Sequence, residues 1–181
     1  MRKRLGLYPY KLQLMQSLRQ DDKRQRVQFA QWLLEHPEII PNILWSDEAI
    51  FSLDGTVNTH NCRIWGKSKP KHFITKSLNS PKLCVWMAFS SKFGLEPFFF
   101  NGTIDADCYL NMLQEHVRPQ LTKKKKLGST IFMQDGAPPH FAINVRNYLT
   151  QTFGYDRVIS RGCQHIWPPR SPDLNPLDFW F

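Results

Sequence analysis

The stretch TIFMQDGAPPH, residues 130–140, constrains the fold more than any other part of the chain. Ile131, Phe132 and Met133 form an apolar run with the composition of a strand, yet that run ends on a carboxylate, Asp135. Gly136, Pro138 and Pro139 then stop the strand from continuing and fix the path of the backbone. An Asp in this place simply closes a strand and opens a turn in many proteins, but the same rigid path also suits an acid held for binding. A second stretch, LWSDEAIF at 44–51, carries Asp47 inside what otherwise reads as a buried strand, where an unpaired charge is costly. There the plain alternative is an outward-facing residue of an edge strand.

The chain has 181 residues and 41% apolar content, which fits one domain with an ordinary core, or one domain plus an arm. Its 24 Lys and Arg against 15 Asp and Glu give a formal charge of +9, pointing to a polyanionic partner, most often nucleic acid. Cys62, Cys84, Cys108 and Cys163 are far apart and form no CxxC pair, so neither a zinc knuckle nor a tight disulfide framework is indicated. Free thiols in a reducing compartment are expected. The basic start, MRKRLGLYPYK, leads into no apolar signal core, and the longest apolar run, LCVWMAF at 83–89, is far too short to span a bilayer. A soluble intracellular protein without a membrane partner is expected.

Rich in Lys, Arg and Gln, the first 45 residues show helical spacing at Val27, Ala30, Leu33 and Leu34, after a possible cap at Asp21. An amphipathic helix is predicted over roughly 21–36, ended by His36-Pro37. From Ile43 the pattern changes to short segments rich in β-formers. ILWSDEAIFSL, HNCRIW and KLCVWMAFSS are separated by DGT and KSKPK and predict an antiparallel meander of three strands. DADCYLNMLQEHVRPQL, at 105–121, has helical spacing at Cys108, Met112, Leu113 and Val117 and precedes the Lys123–Lys126 run, read as a solvated loop. The strand TIFMQ, a helix FAINVRNYLTQTF opened by Pro138-Pro139, a short strand around HIWPP and the segment SPDLNPLDFWF complete a β-β-β-α-β-α-β order with a last helix beginning at the end.

Two carboxylates ending side by side on neighbouring strands repel unless a cation lies between them, and magnesium, which takes a few carboxylates and keeps positions for water and phosphate, is the natural candidate. A third acid, Asp178, stands in SPDLNPLD, where Asn175 can cap and Pro176 suits the first helical position. Reciprocal capping explains Asp178 equally well, and the pattern does not separate the two. Together the three acids would form a two-metal site for phosphoryl transfer, its ions about 3.5–4 Å apart. Such chemistry needs no nucleophilic side chain, which agrees with the lack of a nucleophile elbow, a phosphate-cradling glycine loop or an HExxH motif.

Taken in order, LWSDEAIF, RIWG, VWMAFSS, FMQDGAPPH and WPPRSPDLNPLD resemble the catalytic domain of mariner-like transposases of the Tc/mariner superfamily, and the likeness covers almost the whole chain. The resemblance implies an α/β, RNase H-like mixed sheet, three antiparallel strands followed by parallel ones, flanked by helices and preceded by a helical linker. Residues 1–42 would be the end of a DNA-binding region with that linker, and 43–181 the catalytic domain. It also implies that Asp47, Asp135 and Asp178 are the catalytic, metal-binding acids of a DDD-type enzyme using two Mg2+ or Mn2+ ions. The implied activity is cleavage of DNA at transposon ends and joining of the freed 3′-hydroxyl to target DNA. The implied partner is DNA, with a homodimer in the full-length protein, and the implied location is the nucleus. Asp at position 178 is the mariner-type choice, where related families place Glu. The chain stops at Phe181, three residues past Asp178, so the helix under the third acid is expected to be truncated and its hold on Asp178 weak. An inactive DNA-binding remnant, or a nuclease or integrase of the same fold, are the rival expectations.

Around these acids, Glu48 points to the opposite face of the strand from Asp47 and is expected to be structural or solvated. Asp173 is expected to shape the SPDLNP turn. His140 either orients the site, contacts DNA, or caps and packs. Lys23, Arg24, Arg26 and Arg170 are candidate DNA contacts, with a solvated helix face as the plain alternative for the first three. Trp65, Trp86 and Trp167, each in a strand-like segment, are expected in the core.

Overall fold

The computed structural model describes residues 17–52 and 81–180. The segments HNCRIW and KSKPK, with Cys62 and Trp65, and nearly all of the basic N-terminal stretch lie outside the described residues.

Helix α1 (Gln20–Glu35) starts where the Asp22 carboxylate accepts the Arg19 N–H at 2.8 Å and ends at His36, before Pro37. The predicted helix is therefore present, and Leu33 of the expected apolar face packs, but the buried face is turned toward Phe29 and Trp32. Phe29 is buried and Trp32 and Leu33 pack beside it, whereas Val27 and Leu34 stay exposed. Trp32 and Phe29 offer more apolar surface to a neighbour than Val27 does, and tertiary packing chooses the face that buries more of it.

The sheet has five strands among the described residues: β1 (Ile43–Ser52), β2 (Lys82–Phe89), β3 (Phe98–Phe100), β4 (Ile131–Met133) and β5 (Val158–Ile159). In space their order is β3-β2-β1-β4-β5. The first three run antiparallel, and β4 and β5 join β1 in parallel, the mixed sheet expected of an RNase H-like fold. Two strands differ from expectation. Phe98–Phe100 was not anticipated, because three apolar residues between Pro97 and Asn101-Gly102 are too few for alternation to register. The last strand is Val158–Ile159, in the stretch between the predicted helix and HIWPP, while His165 in HIWPP makes only an isolated bridge to Ile159.

The predicted helix at 105–121 is a longer rod. Helix α2 (Ala106–Met112) is capped by Asp105, passes through a π-helical turn at Leu113–Val117, and continues as α3 (Arg118–Lys123). The wide turn restarts the hydrogen-bond ladder just before Pro119, so the missing proline N–H falls where a new helix needs none. Helix α4 (Ile143–Phe153) begins a few residues later than expected, since Pro138 and Pro139 form a turn first, and it stops at Gly154 with φ 91°. A one-turn helix, α5 (Leu177–Trp180), packs against β1.

Alternation along the strands sorts two cores. Leu44, Trp86, Phe132 and Val158 face α2, α3 and α4, stacking on Tyr109, Leu113, Leu149 and Phe153. Ile43, Trp45, Ile131, Met133 and Ile159 face the opposite way, against Phe29 of α1, Trp167 and Leu177. Trp86 and Trp167 are thus core residues. Among the described residues no helix is long and apolar enough to cross a membrane, and Cys84, Cys108 and Cys163 are unpaired.

Gln134 carries the largest polar side chain among the residues that lie wholly inside this framework. Gln134 is fully buried just past β4: its Oε1 accepts the Tyr109 hydroxyl at 3.0 Å, and its Nε2 donates to the His140 carbonyl and to Ser160 Oγ, each at 3.0 Å. Buried polar groups of this kind persist only when satisfied. Gln134→Leu removes one hydrogen bond each from a buried phenol, a carbonyl and a hydroxyl, and is expected to lower stability by about 2–4 kcal/mol. A urea-denaturation midpoint within error of the unsubstituted chain would refute this role for the side chain.

Candidate active site

Parallel pairing sets the level of the first two acids. Ile43 lies opposite Ile131 and Leu44 opposite Phe132. Asp47 and Asp135 each stand three residues beyond the paired Leu44 and Phe132, at the same end of neighbouring strands. Along β1, Ile43, Trp45 and Asp47 share one face, the face that also holds α1 and α5. Ser46 strengthens the junction by donating to the Met133 carbonyl at 2.6 Å.

The third acid reaches them through Asn175. Its Nδ2 donates to Asp47 Oδ2 at 3.1 Å and to the Ser46 carbonyl at 3.3 Å. Its Oδ1 accepts the Leu177 N–H at 3.3 Å, and its carbonyl accepts the Asp178 N–H at 3.1 Å. Asn175 is therefore the expected cap, and it also braces Asp47. With Leu177 buried in the core beside α1, the single turn is held by tertiary contacts that a one-turn helix does not need to supply itself. Leu177 thus anchors the turn, while the Asp178 side chain itself stays exposed.

On the other side of β1, Glu48 reaches His140. His140 is only 4% exposed; its Nε2 lies 3.2 Å from Glu48 Oε1 and its Nδ1 2.7 Å from Asp135 Oδ1, with the Tyr109 ring 4.2 Å from its own. Asp135 Oδ1 also accepts the Ala137 N–H at 2.9 Å. One oxygen of Asp135 is thus fully engaged in holding the side chain still.

Burial pushes Asp47 up to about 7, and the nearby carboxylates of Asp178, Glu48 and Asp135 add to the rise against the favourable Glu48 N–H. Asp178 is raised too, first by burial and then by Asp135 and Asp173. For Asp135 burial also works upward, but the hydrogen bond and charge of His140 outweigh it and hold the acid below its ordinary value. His140 is carried up to about 9, its two carboxylate partners overcoming a burial that works the other way. Two acids whose charged form is disfavoured thus stand beside one, Asp135, whose charge His140 balances.

Asp47, Asp135 and Asp178 line one cleft of about 750 Å³. Trp167, Pro169, Arg170 and Asn175 form one wall, and Arg19, Asp22 and Gln25 of the α1 region form another. Arg161 sits at the rim, its guanidinium over the Phe141 ring at 4.5 Å. A Cβ at Gly136 would come 3.3 Å from Arg161 Cδ, so glycine there leaves room for it. As they stand, no three His, Cys, Asp or Glu side chains among the described residues converge closely enough to hold an ion.

Of the candidate DNA contacts, Lys23 and Arg24 are exposed on α1, Arg24 lying 3.5 Å from Asp21. Arg26 and Arg170 are instead engaged within the chain, with Asp173 and Asp22, and His140 is buried between two carboxylates. Sequence reasoning missed the Glu48–His140 bond, the Asn175–Asp47 bond and the place of Arg19 and Arg161. For Glu48 the signal was its adjacency to Asp47; for Arg19 and Arg161, far apart in the chain, the sequence carries none.

Residues 42–181 match the family described as DDE superfamily endonuclease. The chain is 29% identical over 139 residues to the transposable element Tc3 transposase of Caenorhabditis elegans, covering 75% of this chain and 39% of that one. Over 163 residues it is 30% identical to the transposable element Tcb1 transposase of Caenorhabditis briggsae, covering 87% and 56%. The chain thus spans less than two thirds of the length of these relatives. In fold it is similar to the Mos1 transposase paired-end complex with left transposon end, with a TM-score of 0.72, 19% identity, and 98% of this chain and 52% of that one covered. The Mos1 transposase catalytic domain with raltegravir and Mg aligns with a TM-score of 0.61 at 18% identity, covering 91% and 70%.

The two large shifts, on Asp47 and His140, tilt the same way above about pH 4, and His165, lowered by burial, opposes them only below 6.5. Asp47, raised from 3.8 to about 7, lends stability that is lost as pH rises across that window, and His140, raised from 6.5 to about 9, lends stability that is lost between those values. In metal-free buffer the melting temperature is expected to fall progressively from pH 5 to pH 9. Asp47→Asn should flatten the lower part of the profile and His140→Gln the upper part; thermal melts with a flat profile for the unsubstituted chain would contradict both assignments.

Proposed function

Because the chain belongs to the DDE superfamily endonucleases, we propose that it is the catalytic domain of a mariner-like DNA transposase that cleaves DNA at transposon ends and transfers the freed strand to a target. The observation that carries this is the shared level of Asp47 and Asp135 on neighbouring parallel strands, with Asp178 tied to Asp47 through Asn175.

The donor chemistry suits divalent magnesium or manganese once the three side chains draw closer than they stand: three hard carboxylates, two of them raised in pKa by burial and by neighbouring carboxylates, on one open cleft that leaves positions for water and phosphate. Asp47, Asp135 and Asp178 would hold two such ions. When bound, the ions supply an activated attacking oxygen and neutralise the leaving one. The chain's own residues then orient and hold. His140 fixes Asp135 through Oδ1, Glu48 fixes His140, and Asn175 fixes Asp47 relative to the last helix. None of them needs to act as a nucleophile.

DNA is the partner this reading requires. The net charge of +9 supports it, as does Arg161 at the cleft rim. Residues 1–42 would be the end of a DNA-binding region with its helical linker, and the full-length protein would work as a homodimer in the nucleus.

The test is nicking of a labelled duplex carrying the terminal repeat of the encoding element, with Mg2+ or Mn2+, compared with Asp135→Ala and Asp178→Ala. Loss of a direct metal ligand should cost at least as much as loss of an outer-shell partner, so a fall of roughly 100-fold or more is expected for each. Metal-dependent nicking that survives either substitution would remove that acid from the site. Absence of nicking with both metals, alongside retained DNA binding, would favour a noncatalytic DNA-binding remnant. Cleavage with no preference for the terminal repeat would favour a nuclease of the same fold.

A further inference from the structure

Helix α1 precedes the segment that matches the endonuclease family, yet it is joined to the loop leading to the third acid by two crossed ion pairs. The Arg26 fork donates from Nη1 to Asp173 Oδ1 at 2.7 Å and from Nη2 to Asp173 Oδ2 at 2.5 Å, and Nη1 also lies 3.3 Å from the Arg170 carbonyl. In the opposite sense, Arg170 Nη1 donates to Asp22 Oδ2 at 2.5 Å, the same oxygen that accepts the Arg19 N–H. Asp22 and Arg26 stand one turn apart on α1, so one helix face supplies an acid and a base to one short loop.

Three features make this more than an incidental surface pairing. Asp22 and Arg26 are largely enclosed, with 7% and 19% of their side chains exposed, and the Arg26 contact is bidentate, which fixes direction as well as distance. Arg170 holds a left-handed backbone, φ 53°, which a non-glycine residue keeps only when its surroundings enforce it; here Asp22 grips its side chain and Arg26 its carbonyl. Below the ion pairs the same two segments are joined by aromatic packing, Phe29 edge-on to Trp167 at 5.3 Å and Trp32 stacked on His165 at 4.4 Å. From Asp173 the chain turns through Pro172–Leu174 straight to Asn175, which holds Asp47, and to Asp178.

We infer that Asp22, Arg26, Arg170 and Asp173 are positioning residues for the third acid: α1 clasps the Arg170–Asp173 loop and thereby sets where Asp178 stands relative to Asp47. This rests on the assignment of Asp178 to the proposed metal site. It makes α1 a working part of the catalytic unit, lining the same cleft through Arg19, Asp22 and Gln25, and not only a linker.

Two measurements on the intact chain test it. The first is amide hydrogen exchange at Leu174, Asn175, Leu177 and Asp178, whose N–H groups are all hydrogen-bonded within this turn; it needs no activity and stands even if the proposed reaction fails. Exchange there is expected to speed up in Arg26→Ala and in Asp173→Asn while β1 and β4 amides stay unchanged. The second is the Mn2+ concentration for half-maximal nicking. It should rise about 10- to 100-fold in each variant, as for other residues that orient metal ligands, with the double variant Arg26→Ala, Asp173→Asn no worse than the weaker single one and Arg26→Lys falling between. Should Arg26→Ala fail to fold, Asp173→Asn alters a side chain that is 55% exposed and carries the same expectations. Unchanged exchange in the turn, or additive effects in the double variant, would overturn the proposal. Slower nicking at unchanged metal demand would do so too, since it would mark a purely structural role.

Discussion

The parallel pairing of β1 with β4 is the constraint from which the rest of the site follows. Two residue pairs, Ile43 with Ile131 and Leu44 with Phe132, lock the register, and the Ser46 hydroxyl on the Met133 carbonyl closes it at the outer end. A slip of one residue would send Asp47 to the face of Tyr109 and Leu113 and bury the charge in the larger apolar core. The apolar residues flanking the pair therefore do more than fill space: by alternating between two cores they select the register that leaves both acids at one rim.

Around that rim, each acid is held by a different device. Asp135 is neutralised and oriented by a buried His140 that is itself held by Glu48. Asp47 is braced by Asn175 and by the next backbone amide, yet stays under electrostatic stress because burial and three other carboxylates act on it together. Asp178 has little support from its own short helix and takes its position from Leu177 in the core and from Asn175. This uneven support leaves one acid fully hydrogen-bonded through one oxygen and two whose pKa is raised by burial and neighbouring carboxylates.

Much of the framework was legible from local pattern. Apolar runs broken by Gly and Pro marked β1, β2 and β4, helical spacing marked α1 and the α2–α3 rod, and SPDLNP marked a cap followed by a helix start. What escaped had short or mixed signals. Phe98–Phe100 and Val158–Ile159 are too brief for a period to show, and Val158–Ile159 pairs because β4 offers it an open edge. The packed face of α1 was misjudged since Val27 and Leu34 repeat at helical spacing just as Phe29 and Leu33 do; only the presence of Trp167 decides between them. Arg26 and Arg170 read as free cations because their partners, Asp173 and Asp22, stand far away in sequence.

The resemblance pointed to the mixed sheet and to Asp47, Asp135 and Asp178 as a set, while the sequence by itself determined β1, β2, β4, α1, the α2–α3 rod and Asn175 as the cap before the last acid. Those are properties of residue type and near-neighbour spacing, which propensity, periodicity and turn chemistry report directly. Only the tertiary structure decided that Glu48 holds His140, that Asn175 reaches Asp47, and that α1 is clasped to the loop before Asp178. Each of those joins side chains separated by a long stretch of chain, and such a meeting depends on how whole elements pack, on register and on which face is buried, and local composition is blind to all three.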